Sequence, residues 1–129
     1  MLAVLCFGNP HLTGDSMALE VGRALGRGIA GAEFVECGLD VGFLDEYAGR
    51  DFLVLDVVKG ITEVRFVSPG ELRTVRTATA HDLDVGFYIR LLEKEGKHVR
   101  VLGIPDGMDK KEASSQVLKA LVQLLEASR

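Results

Sequence analysis

The chain has 129 residues, of which 47% are hydrophobic and 26% charged, with a net charge of −4 and two cysteines. This composition is typical of a globular protein, and we predict one domain over residues 1–129. Lys and Arg are not clustered, which argues against a nucleic-acid partner. No apolar stretch reaches the ~18 residues of a membrane span, and no signal-peptide pattern precedes the first strand-like run. We therefore expect a cytoplasmic protein that does not bind a membrane.

Strand-like and helix-like patterns alternate along the first half of the chain. Continuous apolar runs predict buried strands, and apolar residues at helical spacing predict helices that cover them. The predicted elements are a strand over 1–7, a Gly-rich loop over 8–14, a helix from Asp15 or Ser16 to Leu25, a strand over 32–37, a short helix over 41–47 and a strand over 51–58.

The second half begins with two alternating runs, 62–67 and 71–79, which a turn at Ser68-Pro69-Gly70 separates. They predict a hairpin or an edge pair. The remaining predicted elements are a helix from Asp82 or Asp84 to Glu95 that buries Val85, Ile89 and Leu92, a strand over 99–104, and a helix from Lys110 or Lys111 to Ala127 that buries Val117, Leu118, Leu121, Leu124 and Leu125. This order predicts an α/β fold of three layers: a mostly parallel sheet with helices on both faces.

Three metal-capable side chains each follow a hydrophobic run. Asp15 comes after the first strand and its loop, Asp56 ends the apolar run 52–55, and His81 follows the run 75–80 and precedes a helical pattern. The carboxyl ends of parallel strands face one crevice, so the three groups are expected to meet there. Two carboxylates and an imidazole make an oxygen and nitrogen site for a divalent transition metal.

Each of these residues also has a simpler interpretation. Asp15 could cap the following helix, since Asp is a favoured N-cap. His81 could be a partly buried histidine at a helix entry. Asp56 is the hardest to explain structurally, because a carboxylate on an apolar strand is costly to bury unless it is paired or faces a cleft.

Other polar residues are weaker candidates. His11, in the first loop, could be a fourth ligand or a substrate contact, whereas His98 and Lys59 are expected to be solvated. Cys6 and Cys37 have no CxxC neighbour and are expected to be buried, reduced thiols. The GxGxxG, P-loop and Gly-x-Ser-x-Gly motifs are all missing from the sequence. The chemistry is therefore expected to be metal-centred rather than covalent.

The segment Gly8-Asn9-Pro10-His11-Leu12-Thr13-Gly14-Asp15, directly after an N-terminal strand, resembles the opening motif of the hydrogenase maturation endopeptidases. In that family an acid leading into the first helix is a metal ligand, and it matches Asp15. A ligand Asp on the central strand matches Asp56 in Leu53-Val54-Leu55-Asp56, and a histidine before a helix matches His81 in Thr77-Ala78-Thr79-Ala80-His81. The sequence departs from the family pattern at Gly14, where a second acid is usual, and at Ser16 and Met17, where glycine is usual.

The resemblance implies a nickel-dependent endopeptidase. Such an enzyme removes the C-terminal tail of the large-subunit precursor of a nickel–iron hydrogenase after nickel has been inserted. Asp15, Asp56 and His81 would be the catalytic and metal-contacting residues, with Asn9 and His11 as substrate contacts. The precursor would supply the nickel, for which other divalent metals can substitute, and the oligomeric state stays open.

Two other functions are compatible with the sequence. A receiver-like phospho-acceptor domain shares the fold class and an Asp on the third strand, although it needs an acidic pair where Gly8-Asn9 stands and a Lys where Pro105-Asp106 stands. A non-catalytic family relative that acts as a binding or scaffold protein would keep the pocket and lose the reaction, which the departures at Gly14 and Ser16 allow.

Overall fold

The computed structural model describes residues 1–68 and 80–128, apart from the side chains of Thr13 and of residues 80–84. The elements in this part of the chain are β1 (Leu2–Phe7), α1 (Met17–Leu25), β2 (Ala32–Gly38), α2 (Gly42–Glu46), β3 (Phe52–Val58), β4 (Arg65–Val67), α3 (Ala80–Lys94), β5 (Val101–Pro105) and α4 (Lys110–Ala127). A 3₁₀ turn, Thr13–Asp15, precedes α1. None of the described helices is long and apolar enough to cross a membrane.

The strands form one sheet in the order β2-β1-β3-β5-β4. β2, β1, β3 and β5 are parallel, and β4 pairs with β5 in the antiparallel direction at one edge. The antiparallel edge strand is a departure from the doubly wound order 2-1-3-4-5 of receiver-like domains. The predicted strand over 71–79 lies outside the described residues, so its pairing with β4 stays a prediction.

Hydrophobic side chains project from both faces of the sheet, as a parallel sheet covered on two sides requires. On one face, alternate residues of β1 and β3 form a buried cluster with α1 and α4. On the other face, the intervening residues of these strands pack with α2 and α3. The predicted three-layer α/β architecture is therefore confirmed.

The buried face of α4 differs from the predicted one at Leu118. In α4 the buried residues are Ala113, Val117 and Leu121, whereas Leu118 is 39% exposed, so its predicted burial is wrong. Residues four apart form one narrow stripe on a helix, and Leu118 lies about 100° around the helix from Val117. This stripe is sufficient to bury α4 against the sheet, because α4 packs beside α1 on the same face.

The apolar residues of α1 that the sequence predicts to face inward are Met17, Leu19, Val21, Ala24 and Leu25. Leu19 and Val21 are buried and Met17 and Leu25 pack against the core, whereas Ala24 is exposed, and Ala18 and Gly22 are buried as well. Gly22 packs against β1 so closely that an added Cβ would lie 2.9 Å from Cys6 Sγ. Small residues at these positions let the helix approach the strand.

Two helices also begin at other residues than predicted. The first begins at Met17 rather than at Asp15 or Ser16, and α3 begins at Ala80. His81, predicted to precede α3, therefore lies in its first turn. Alanine is the strongest helix former and acidic residues are favoured in a first helical turn, so Ala80 and Asp82 can both belong to the helix rather than precede it.

Both cysteines are free and buried, as predicted. Burial raises the pKa of Cys37 to about 12, and burial together with the nearby Cys37, Glu36 and Asp56 raises that of Cys6 further. The thiolate is the reactive form. At pH 8 the folded protein should therefore react with a thiol reagent such as DTNB at least about 100-fold more slowly than the denatured chain.

The same shifts affect stability at alkaline pH. Because the pKa of each thiol is higher in the folded state than in the unfolded state, the unfolded chain loses protons first as the pH rises. This contribution to stability is complete below pH ~8.5 and decreases above it, through pH 12 for Cys37. Urea melts at pH 7 and pH 10 should show the decrease, and replacing Cys37 with Ser should reduce it. In the DTNB experiment, equal reaction rates for the folded and the denatured protein would contradict the burial of the thiols.

Candidate active site

The loop after β1 is closed by hydrogen bonds of its own. Gly8 N donates to Gly38 O at the end of β2 (2.9 Å), which fixes the start of the loop on the sheet. Asn9 N donates to Asp15 Oδ2 (2.8 Å), and Asn9 Oδ1 accepts a hydrogen bond from His11 N (2.9 Å). The loop therefore returns to its starting point and holds Asp15 directly above the carboxyl end of β1.

Gly8 is required by this close return. Its φ is +155°, and a Cβ added at Gly8 would lie 2.3 Å from the backbone oxygen of Asp15. Real Cβ atoms do not approach other atoms so closely. Glycine is the residue that permits such an approach of two backbone segments. The first residue of the Gly8-Asn9 motif thus acts by letting the loop close over the strand.

Asp15 does not cap α1. The N-cap residue is Ser16, whose side chain makes no capping bond and instead donates from Oγ to Glu20 Oε2 (2.9 Å). Asp15 is 2% exposed, and its carboxylate extends back across the loop to Asn9. The simpler interpretation of Asp15 as a helix cap is therefore wrong, and the side chain belongs to the loop at the edge of the sheet.

Asp56 lies within β3 rather than at its end, and it is 4% exposed. Its Oδ1 accepts a hydrogen bond from Val57 N (2.9 Å). Side chains alternate along a strand, and Val54 and Val58 belong to the cluster beneath α2 and α3. The carboxylate of Asp56 therefore projects from the same face of the sheet, the face that α3 covers.

Asp15 and Asp56 lie at the same edge of neighbouring strands. The register pairs Cys6 of β1 with Leu55 of β3, so Asp56 is level with Phe7, the last residue of β1. The next residue, Gly8, is the one on which the backbone of Asp15 rests. Two buried carboxylates thus lie at the carboxyl edge of neighbouring parallel strands, one on the loop after β1 and one near the end of β3.

The third predicted ligand, His81, belongs to α3, and its side chain lies outside the described part of the structure. Among the side chains that are described, no three of His, Cys, Asp or Glu lie close enough to hold a metal ion. The site made of Asp15, Asp56 and His81 is therefore still a prediction.

The remaining candidates lie at the surface. His11 is exposed, and its backbone nitrogen bonds to Asn9, so both predicted substrate contacts lie in the loop that carries Asp15. The His98 side chain is 95% exposed and lies 2.9 Å from Glu93, and Lys59 is exposed, as expected for both. A groove of about 560 Å³ between α1 and β2 includes neither Asp15 nor Asp56 in its lining and is not part of this site.

Sequence reasoning missed one acid at this edge. Asp106 directly follows β5, and a Cβ added at Gly14 would lie 3.9 Å from its Oδ1. The only signal in the sequence was its position after a buried strand, the same signal that singled out Asp56. Pro, Asp and Gly in succession are also typical of a turn, which gives Asp106 a structural explanation in the sequence.

This arrangement of strands is shared with solved structures. HybD, a hydrogenase maturating endopeptidase from E. coli, is 19% identical with a TM-score of 0.68 over 95% of this chain and 92% of that chain. The fold is that of the hydrogenase maturation endopeptidases. The [NiFe] hydrogenase maturation protease HybD from Thermococcus kodakarensis is 21% identical with a TM-score of 0.70, over 95% of this chain and 97% of that chain.

A third solved structure, a hydrogenase 3 maturation protease, is 19% identical with a TM-score of 0.64, over 92% of this chain and 87% of that chain. No protein-family profile matches the sequence, and neither does any curated protein. At these identities the similarity establishes the maturation-protease fold alone.

Proposed function

We propose that this protein is a metal-dependent endopeptidase that removes the C-terminal tail of the large-subunit precursor of a nickel–iron hydrogenase after nickel insertion. Asp15, Asp56 and His81 contact the metal, and Asn9 and His11 contact the precursor. The nickel arrives as part of the substrate. The precursor is thus the partner, and its metal acts as the signal that insertion is complete.

The observation that carries this proposal is the pair of buried carboxylates at the carboxyl edge of a maturation-protease fold. Asp15 and Asp56 are 2% and 4% exposed. Burial of a carboxylate is costly unless hydrogen bonds or a cation compensate for the lost hydration. Asp56 is held by β3, and Asp15 is held by the loop that closes over the end of β1.

The course of α3 supports the inclusion of His81. Leu92, in the last turns of α3, lines a pocket with Phe52 and Val99, so this end of the helix lies at the amino edge of the sheet. The helix has 15 residues and is about 22 Å long, and the seven residues of β3 span about 23 Å. The start of α3 therefore extends toward the carboxyl edge, on the face from which Asp56 projects.

The donor set suits nickel or a similar divalent ion. Carboxylate oxygens and an imidazole nitrogen are ligands that such ions accept, and three protein ligands leave coordination positions for the precursor. A bound metal polarises a carbonyl or lowers the pKa of a water molecule. The protein's own contribution is to hold two carboxylates at fixed positions in surroundings from which the apolar strands exclude water.

The test is cleavage of a purified precursor. A large-subunit precursor loaded with nickel should lose its C-terminal tail when it is incubated with the protein, and the same precursor without nickel should stay intact. Mass spectrometry of the products identifies the cleaved bond. Binding of the loaded precursor without cleavage would instead indicate the non-catalytic relative. If the protein neither binds nor cleaves any hydrogenase precursor, the proposal is wrong.

Replacing His81 with Ala should weaken binding of Ni²⁺ to the isolated protein about tenfold or more, because one of three protein ligands is lost. Isothermal titration with Ni²⁺ measures the change. His98→Ala is the matched control, because the His98 side chain is 95% exposed and lies at the amino edge of the sheet. Equal affinities for the two variants would remove His81 from the ligand set.

A further inference from the structure

β2 is an edge strand, and its outer side is open. It lies at the end of the sheet beside β1, and no other described strand pairs with it. Leu2 N donates to Gly31 O (2.9 Å), so the parallel ladder joins β1 to Gly31 and then to every second residue of β2. The backbone N–H and C=O groups of Phe34 and Glu36 therefore point away from β1. They are the groups with which an added strand pairs.

The groove of about 560 Å³ lies between α1 and this outer side of β2. Its apolar lining includes Leu19, Ile29 and the partly buried Phe34. Gly22 and Gly26 form part of the wall on the side of α1, and a Cβ added at Gly22 would lie 3.6 Å from Phe34 Cδ1. The two glycines therefore leave space beside the Phe34 ring. The volume is within the range of roughly 300–1,000 Å³ that is usual for ligand pockets.

Charged side chains line the rim of this groove. Arg23 pairs with Glu36, and Arg50 pairs with Glu33, so arginines neutralise both carboxylates of β2. Arg27 also lines the groove, is exposed and forms no ion pair with any described residue. Charged side chains commonly keep exposed edge strands from pairing with other chains. Here the two charges on the strand are compensated, and an uncompensated positive charge lies beside the apolar groove.

We propose that the outer side of β2 binds an extended, acidic segment of a partner protein. The segment adds a strand to the sheet, places an apolar side chain in the groove beside Phe34 and sets a carboxylate against Arg27. Strand addition supplies backbone hydrogen bonds, and alternate side chains of the added strand enter the groove. This inference does not depend on the proposed function, because the groove contains none of the predicted site residues.

The charges favour such a segment over a second copy of the chain. Pairing of two β2 strands would place the two α1 helices side by side on the same face of the joined sheet. Arg23 and Arg27 of both copies would then lie along one groove, and like charges that meet in an interface repel each other. An acidic peptide instead compensates the charge of Arg27.

The test is fluorescence polarisation with a labelled synthetic heptapeptide. Threonine occupies its odd positions, and valine, valine and glutamate occupy its even positions. A second peptide with the glutamate at the other end covers the opposite strand direction. At least one of the two should bind saturably, with a Kd below about 1 mM. Arg27→Glu should weaken this binding about tenfold, because attraction becomes repulsion. Lys119→Glu, the same change of charge at an exposed position on α4, should leave Kd within about twofold.

Two changes in the peptide separate the contribution of its side chains from that of its backbone. Lysine in place of the glutamate should weaken binding to the wild-type protein about tenfold and restore affinity for Arg27→Glu. N-methylation at the even or at the odd positions removes the N–H groups on one or the other side of the added strand. One methylated form should lose at least about tenfold in affinity, and the other should stay within about threefold.

Several results would overturn the inference. Neither peptide binds saturably, or the two methylated forms are affected equally, which would exclude strand addition. Equal losses in Arg27→Glu and Lys119→Glu would exclude a specific contact with Arg27. A dimer, detected by sedimentation, that the peptide dissociates would show that the outer side of β2 binds a second copy of the chain.

Discussion

Replacing Asp56 with Asn is expected to reduce precursor processing at least about 100-fold and to leave the fold intact or slightly more stable. The substitution keeps the volume of the side chain and removes a charge from a site that is 4% exposed. Burial disfavours the charged form, so a carboxylate kept for a metal contributes to function at some cost in stability. Thermal melts and the cleavage assay measure the two effects separately.

A loss of stability in Asp56→Asn would instead indicate a structural role for the carboxylate. If Asp56 is a structural anchor, the substitution should destabilise the protein by ~1–3 kcal/mol, because the amide keeps an acceptor for Val57 N but replaces the second carboxylate oxygen with a donor. Asp51→Asn is the matched control, since Asp51 precedes the same strand at the amino edge and its side chain is 70% exposed. That control should process the precursor at the wild-type rate. A stable Asp56→Asn protein with full activity would contradict the metal-site hypothesis.

Replacing Gly8 with Ala is expected to destabilise the protein by roughly 1–3 kcal/mol or more and to abolish most of the processing. The added methyl group would lie 2.3 Å from the backbone oxygen of Asp15, so the loop has to move away from β1. The bond from Asn9 N to Asp15 Oδ2 depends on the present course of the loop. The added methyl group should therefore displace Asp15, a predicted metal ligand, from its present position.

Denaturant unfolding and the cleavage assay together test this result. Gly49→Ala is the control, because Gly49 has no atom within 4 Å of an added Cβ and should tolerate alanine. In Gly8→Ala, activity should fall more than stability alone explains at a temperature where the variant is fully folded. A variant with wild-type stability and activity would show that the loop closes over β1 in another way.

The predictions for Asp56 and Gly8 concern one candidate site, and the sequence determines the positions of some of its residues better than others. Asp15 and Asp56 follow or end apolar runs, and the two runs are recognisable because strands covered on both faces contain few polar residues. The carboxyl ends of parallel strands share an edge, so the position of two acids at that edge follows from the sequence pattern and the fold class. His81 was predicted from its position between a strand-like run and a helical pattern, and its side chain lies outside the described part of the structure.

The sequence by itself determined the order of strands and helices, the covered parallel strands β1 and β3, and the placement of Asp15 and Asp56 at one edge. These properties depend on local periodicity, which a continuous stretch of chain records. The tertiary structure alone decided that Leu118 is exposed and that Gly22 packs on Cys6, that β4 is antiparallel to β5, and that Asp106 lies beside Gly14. Each of these depends on contacts between segments far apart in the chain, and the distances between such segments are set by packing, which no local pattern encodes.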